Sequence, residues 1–235
     1  MKVALQLSGR LRYTDDSLSS LIHSIVSDTK PDIFCSFWYP ENQETINKLT
    51  STLNPKIVEH EHQSLVRPYI NDLLGPFVHA NLPSMCYKFH RVSTLRKAYE
   101  DQNNFKYDVV IQARTDNIFF EKLSDRIYLP TQISGIWCSN GTYSQEIDPY
   151  VSPRMADNFY LGDRRSMDKS SETFWYLRQT VKRLELSGLL HHARIPEVVQ
   201  SKVWNDLGIV INRLPGSNPA GDFWYDIDRR ETCWK

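Results

Sequence analysis

Arg114 and Asp116 close an apolar run, Val109, Val110 and Ile111, in the stretch YDVVIQARTDNIFF that covers residues 107–120. A carboxylate at that point could bind a divalent cation bridging a diphosphate, because Mg²⁺ and Mn²⁺ prefer carboxylate and phosphate oxygens. The same two side chains could instead form a local ion pair or cap the next turn. SGRLR, at residues 8–12, is a second candidate. Gly9 there lets backbone approach a ligand closely, and the planar forks of Arg10 and Arg12 match phosphate oxygens. Both arginines also fit ordinary surface or salt-bridged roles. Lys88 and Arg91, three apart on a helical pattern, could reach the same phosphates or form a solvated basic face. Tyr87 suits a base or ribose contact and a core position equally. Asp157 in ADNFYLGD reads as a buried acid near a substrate or as a turn residue. Glu197 follows Pro196 in a helical first turn, where carboxylates are favoured in any case. His191 and His192 are adjacent, so on a helix they point to different sides, which argues against a shared metal. Trp137, Trp175, Trp204, Trp224 and Trp234 could stack on sugar rings, although most should be core.

These residues need elements to position them. KVALQL reads as a strand ending in the glycine-containing loop SGR. TDDSLSSLIHSIVSD carries Leu18, Leu21, Ile22 and Ile25 at helical spacing, with Asp and Ser available as N-caps. PDIFCSFW and KIVEHEH follow as strands. LPSMCYKFHRVSTLRKAYEDQNN is a helix with Met85, Phe89, Val92 and Tyr99 on one side and a stop at Asn103 and Asn104. The run at residues 109–111 is apolar on both faces, as a central strand covered on both sides should be. DRIYLP, GIWCSN and DNFYLGD read as short strands, Met167 to Leu186 as one long helix, and PEVVQSKVWNDLG as a helix with Pro196 at its first position and Gly208 as its C-cap, before a strand in IVINRL. Strands alternating with helices predict an α/β protein with a mainly parallel central sheet flanked by helices. Ligands in such sheets sit outside the carboxyl ends of the strands, where SGRLR and RTD both fall.

With 235 residues, 40% of them hydrophobic, the chain is long enough for a sizeable core. One domain is expected, with residues 1–120 as a nucleotide-binding half and 121–235 as an acceptor-side half. The 28 basic and 28 acidic residues cancel, so no global field draws the protein toward nucleic acid or an anionic membrane. No segment approaches the ~20 apolar residues that span a bilayer, and the apolar part of MKVALQLSGR is too short for a signal-peptide core. A soluble, cytoplasmic protein is expected. Cys35, Cys86, Cys138 and Cys233 are scattered and suggest buried, reduced thiols.

The ordered blocks KVALQLSGRLR, PDIFCSFW, SMCYKFHRVSTLRKAYEDQNNFKYDVVIQARTD, ADNFYLGDRRSMD and IPEVVQSKVWNDLGIVI resemble a group of small GT-A-like glycosyltransferases of bacterial surface-polysaccharide loci and viral genomes. The likeness spans Lys2 to Ile211. It implies a nucleotide-sugar-binding α/β sandwich with the donor across the ends of the first strands and an Asp-x-Asp motif at the end of the fourth. Here that motif is Arg114-Thr115-Asp116: Asp116 matches the last carboxylate, and Arg114 replaces the first. The resemblance makes Asp116 the metal candidate, for Mn²⁺ or Mg²⁺, while Arg114 offers the positive charge that a cation would supply to a leaving diphosphate. It assigns Ser8, Gly9 and Arg10 to the donor diphosphate or ribose and Lys88 or Arg91 to charge support. Asp157 and Glu197 become the candidates for the general base of an inverting transfer. The implied function is transfer of a sugar from a nucleotide diphosphate to a hydroxyl acceptor. A glycan or lipid-linked saccharide is the first acceptor class, and a hydroxymethylated base of viral DNA, in the host cytoplasm, the second. The alternative is a non-catalytic nucleotide- or glycan-binding module of the same fold.

Overall fold

The computed structural model describes residues 1–39, 43–74, 81–127, 129, 133–140, 155–188, 196–214 and 225–227. Strands β1 (Val3–Arg10), β2 (Asp32–Trp38), β3 (Ile57–Glu61), β4 (Val109–Ala113), β6 (Ile136–Asn140), β7 (Met155–Asp163) and β8 (Ile211–Arg213) form a seven-stranded sheet in the order β3-β2-β1-β4-β7-β6-β8. Only β7 runs against its neighbours. The expected α/β fold with a mostly parallel sheet and flanking helices is therefore what the chain adopts. A separate pair joins β5 (Asn117–Phe119) to β9 (Tyr225–Ile227).

Pleat parity decides what each side of the sheet covers. Leu5, Leu7, Val109 and Ile111 point into one core with Leu18 and Leu21 of α1 (Asp15–Leu21). Ala4 and Val110 point the other way, into a core with Phe89 and Val92 of α5 (Asn81–Gln102). With both faces covered, the central strands are apolar throughout, as anticipated for residues 109–111.

The helices begin and end where local chemistry requires. Thr14, rather than Asp or Ser, caps α1 in a reciprocal box with Ser17. The helix continues through a π turn (Ile22–Val26) and α2 (Ser27–Thr29) to Lys30, which is left-handed at φ 48°. Next come α3 (Gln43–Leu53) and α4 (Gln63–Leu74). α5 ends at Asn104, φ 51°, with the Phe105 N–H donating to the Glu100 carbonyl at 3.2 Å. α8 (Pro196–Asp206) starts at Pro196 and closes at Gly208, φ 66°, with the Ile209 N–H donating to the Trp204 carbonyl at 2.9 Å.

Three expectations are corrected. Ser8–Arg10 are strand, not loop, because they pair with Ser36, Phe37 and Trp38 of β2. The helix from Met167 to Leu186 is two, α6 (Arg164–Ser170) and α7 (Thr173–Leu186). Hydroxyls cause the break: Ser170, Ser171 and Thr173 each donate to the carbonyl three residues back, a local alternative to the helical ladder. DRIYLP forms no strand among its described residues, and a 3₁₀ turn, Leu123–Asp125, occupies the preceding segment. Among the described residues no helix is long and apolar enough to cross a membrane. Cys35, Cys86 and Cys138 are buried, as expected.

α5 is pinned by charge as well as by apolar packing. Arg96 and Glu100 are wholly buried and paired at 2.6 Å, and Arg96 also bonds Asp168 of α6. Removing one partner of a buried pair strands the other, at a cost of about 3–5 kcal/mol. Arg96→Ala should lose about that much in urea-melt stability, whereas Arg91→Ala, which breaks a half-exposed pair, should lose about 1 kcal/mol or less. Equal losses would show that the Arg96 network does not pin the helix.

Candidate functional site

β1 and β4 pair in parallel, with Leu7 opposite Ala113, so their carboxyl ends emerge side by side. Parity sends Ser8 and Arg10 of β1, and Gln112 with the following Arg114, to the α5 side of the sheet. All four line a cavity of about 330 Å³, together with Gly9 and Arg12. Trp38 of β2, the first turns of α5, Tyr160 of β7, and Pro196 and Gln200 of α8 complete the wall. This volume lies at the lower end of the range for ligand sites, about 300–1,000 Å³. Gly9 sits at φ 104°, a conformation other residues rarely adopt, and a Cβ there would meet nothing within 4 Å. Its backbone is therefore open to close approach.

The RTD stretch organises the cationic rim. The Arg114 fork grips Asp116 at both oxygens, Nε to Oδ1 at 2.7 Å and Nη2 to Oδ2 at 2.5 Å. Asp116 is 3% exposed, whereas the Arg114 side chain is 36% exposed. Thr115 ties the end of β4 to the loop after β1: its hydroxyl donates to the Arg12 carbonyl at 2.6 Å and accepts from the Arg12 N–H at 3.3 Å. Burial, and then the neighbouring charge of Arg10, hold the Arg12 guanidinium below its ordinary pKa; Asp116 pulls it up and Arg114 pushes it down. Three guanidiniums thus share one field, which an anion would relieve.

Asp116 does not present a cation site as it stands. Both its oxygens are taken by Arg114, and among the described residues no three His, Cys, Asp or Glu side chains come together to hold a metal. Of the two base candidates, Glu197 is in the first turn of α8, between the lining residues Pro196 and Gln200, but is not itself among the described lining residues. Asp157 lies on β7, with its side chain outside the described residues. His191, His192, Trp224, Trp234 and Cys233 also fall outside them. Trp204 is core, donating to Thr173 at 3.0 Å, and Trp175 is exposed. Sequence reasoning missed Trp38, Gln112, Thr115, Tyr160 and Gln200. A period-two signal could have found one of them: Gln6, Ser8 and Arg10 alternate along β1 as Gln112 and Arg114 do along β4.

No protein-family model matches the sequence, and no curated protein is significantly similar to it. Among solved structures, mouse xyloside xylosyltransferase 1 in its apo form superposes with a TM-score of 0.45 and 9% identity over 88% of this chain and 82% of that one. A cytidylyltransferase from Leptospira borgpetersenii superposes with a TM-score of 0.44 and 8% identity over 95% of this chain and 79% of its own. Likeness at this level carries no inference about activity.

Tyr87, Lys88 and Arg91 are not in the cavity wall. They meet two carboxylates of β3, behind Trp38. Lys88 Nζ lies 2.7 Å from Glu61 Oε2 and 4.5 Å from the centre of the Trp38 ring. Tyr87 donates to Glu61 at 3.1 Å and stacks on Trp38 at 5.7 Å. Arg91 grips Glu59, with Nε to Oε1 at 3.2 Å. The expected reach of these side chains to phosphates is replaced by support of Trp38, with their charges compensated locally. Burial lowers the Lys88 pKa against the pull of Glu61. Burial, followed by Glu61, raises that of Tyr87 to about 12. For Glu59, burial pushes the pKa up, but hydrogen bonds from Arg91 and Ser36 and the charges of Arg91 and Lys88 win, leaving it below its ordinary 4.5. A depressed carboxylate contributes stability above its unfolded value, and that contribution disappears as pH falls through the folded one. Urea midpoints measured from pH 7 to 3 should therefore fall below pH ~4.5 in the wild type and fall less in Glu59→Gln. Identical acid limbs would refute the coupling.

Proposed function

We propose that the protein is a glycosyltransferase that moves a sugar from a nucleotide diphosphate to a hydroxyl acceptor, with a saccharide or lipid-linked glycan as the first acceptor class. One observation carries this reading: Arg10, Arg12 and Arg114, from two separate strand ends, line a single cavity beside the backbone of Gly9. Guanidinium forks match phosphate oxygens, and a diphosphate leaving group develops charge in the transition state where preorganised cations stabilise it. In the reaction the bond from the sugar anomeric carbon to the β-phosphate oxygen breaks, and the electron pair leaves with the nucleoside diphosphate. The acceptor oxygen bonds to the same carbon, and its proton leaves. An inverting course passes that proton to a carboxylate, for which Glu197 is the first candidate and Asp157 the second. Asp116 fixes the fork of Arg114, and because its donor set does not fit a cation, no step is routed through a metal. Zero net charge disfavours a DNA acceptor.

One observation favours a second reading. The locked Arg114–Asp116 pair also suits a module that binds a nucleotide or glycan without turning it over.

Donor hydrolysis, with water standing in for the acceptor, separates these readings. With UDP-glucose, GDP-mannose or dTDP-glucose, release of the nucleoside diphosphate is expected, and it should persist in EDTA. Arg10→Ala and Arg114→Ala should each lower turnover about a hundredfold, and Glu197→Gln should lower it about a hundredfold with donor affinity unchanged. Binding without turnover of any donor would favour the module, and release of pyrophosphate would point to nucleotidyl transfer instead.

A further inference from the structure

Two consecutive buried residues each hold one arginine of the cationic rim. Thr115 and Asp116 are both 3% exposed. Asp116 takes the side-chain fork of Arg114 at both of its oxygens. Thr115 takes the backbone of Arg12: its hydroxyl donates to the carbonyl at 2.6 Å and accepts from the N–H at 3.3 Å. A threonine hydroxyl is one donor with two acceptor sites, so a single side chain meets both polar backbone groups of that residue.

Arg12 lies between β1 and α1, where neither a ladder nor a helix sets its backbone. The chain is anchored again just beyond it. Tyr13 donates its hydroxyl to the Thr45 carbonyl at 2.9 Å, and Thr14 caps α1. Thr115 ties residue 12 across to the end of β4, so the connection is held from both sides. The charges of Arg10 and Arg114 both act on the Arg12 guanidinium. Like charges drawn into one field oppose folding, and a turn between a strand and a helix has no need of them. Thr115 itself is not among the described lining residues of the cavity, whereas Arg12 and Arg114 are.

We propose that Thr115 is a positioning residue for Arg12, and that with Asp116 it sets Arg12 and Arg114 in place before a ligand arrives, so that the rim prefers two linked phosphoryl groups to one. The inference rests on the nucleotide-diphosphate reading above. A monophosphate satisfies one guanidinium fork, whereas a diphosphate can occupy forks from two strand ends at once. Arginine loses much conformational freedom when it is ordered, and ordering it in advance lowers the cost of binding. Thr115 touches no ligand in this arrangement. Its effect runs through the Arg12 backbone alone, which separates it from a residue that merely packs.

Calorimetric titration should compare UDP, GDP and dTDP with UMP, GMP and dTMP. Wild type should bind at least one diphosphate about tenfold or more tightly than the matching monophosphate. Arg12→Ala, and Thr115→Val, which keeps the shape and removes the hydroxyl, should each weaken the diphosphate about fivefold to tenfold and the monophosphate about twofold or less. Thr115→Ser, which keeps the hydroxyl, should stay within about twofold of wild type. In an Arg12→Ala background, Thr115→Val should add a loss of about twofold or less, because the guanidinium it positions is gone. A full loss in that background, equal losses for mono- and diphosphate, or unchanged diphosphate affinity in Thr115→Val would overturn the inference. Failure of both Thr115→Val and Thr115→Ala to fold in ligand-free urea melts would also overturn it, since the residue would then be structural. Equal binding of mono- and diphosphates by wild type would overturn it while leaving the transferase reading standing. Wild type that binds neither nucleotides nor nucleotide sugars would overturn that reading, and this one with it.

Discussion

When β1 and β4 pair in parallel with Leu7 opposite Ala113, the side chains of the next residues, Ser8 and Arg114, fall at the same level and on the same side of the sheet. Arg10, Arg12 and Arg114 are brought together by that register. A slip of one residue in either strand would turn its polar set to the opposite face, burying Ser8 and Arg10 against α1 and exposing Leu7 to the cavity. Thr115 then fixes the level, because its hydroxyl both donates to and accepts from the Arg12 backbone. The apolar residues of the two strands specify the register, and the polar residues at their ends inherit their positions from it.

The cations of the chain divide by what faces them. Lys88 and Arg96 are wholly buried, and each meets a carboxylate at 2.7 Å or less. Desolvating a charge without a partner would cost several kcal/mol, so these two are committed to the structure. Arg114 is also paired, but its carboxylate is buried while its own side chain is 36% exposed. That asymmetry sets its orientation and leaves a guanidinium surface at the cavity. Helix position alone does not separate the two kinds of cation: Lys88 lies one residue before Phe89, which is in the cavity wall, and yet Lys88 faces β3.

Much of this was legible in the sequence, because the determinants were local or periodic. The unbroken apolar run at residues 109–111 marks a central strand, Asn104 and Gly208 mark the ends of two helices, and SGRLR with RTD fall at the carboxyl edge where ligands of parallel sheets bind. The misreadings arose where tertiary partners decide. Ser8–Arg10 look like a loop until β2 is there to pair with them. Lys88 and Arg91 look like a basic face until Glu59 and Glu61 of β3 arrive beside them. Gln200 comes to the cavity from a helix far along the chain, and no local pattern distinguishes it from a polar residue on a solvated face.

The cavity joins two environments of different chemical character. At the strand ends three guanidiniums share one field, and burial first, then the neighbouring charge of Arg10, depresses the pKa of Arg12. Toward β7 and α8 the described lining residues, Tyr160, Pro196 and Gln200, carry no charge. A ligand that fills both regions is best matched by an anionic group at one end and an uncharged one at the other. Such a ligand excludes water from the arginines as it binds, which lowers the local dielectric and strengthens their attraction for its anionic group. Occupancy of the neutral end therefore bears on how firmly the cationic rim holds an anion at the other.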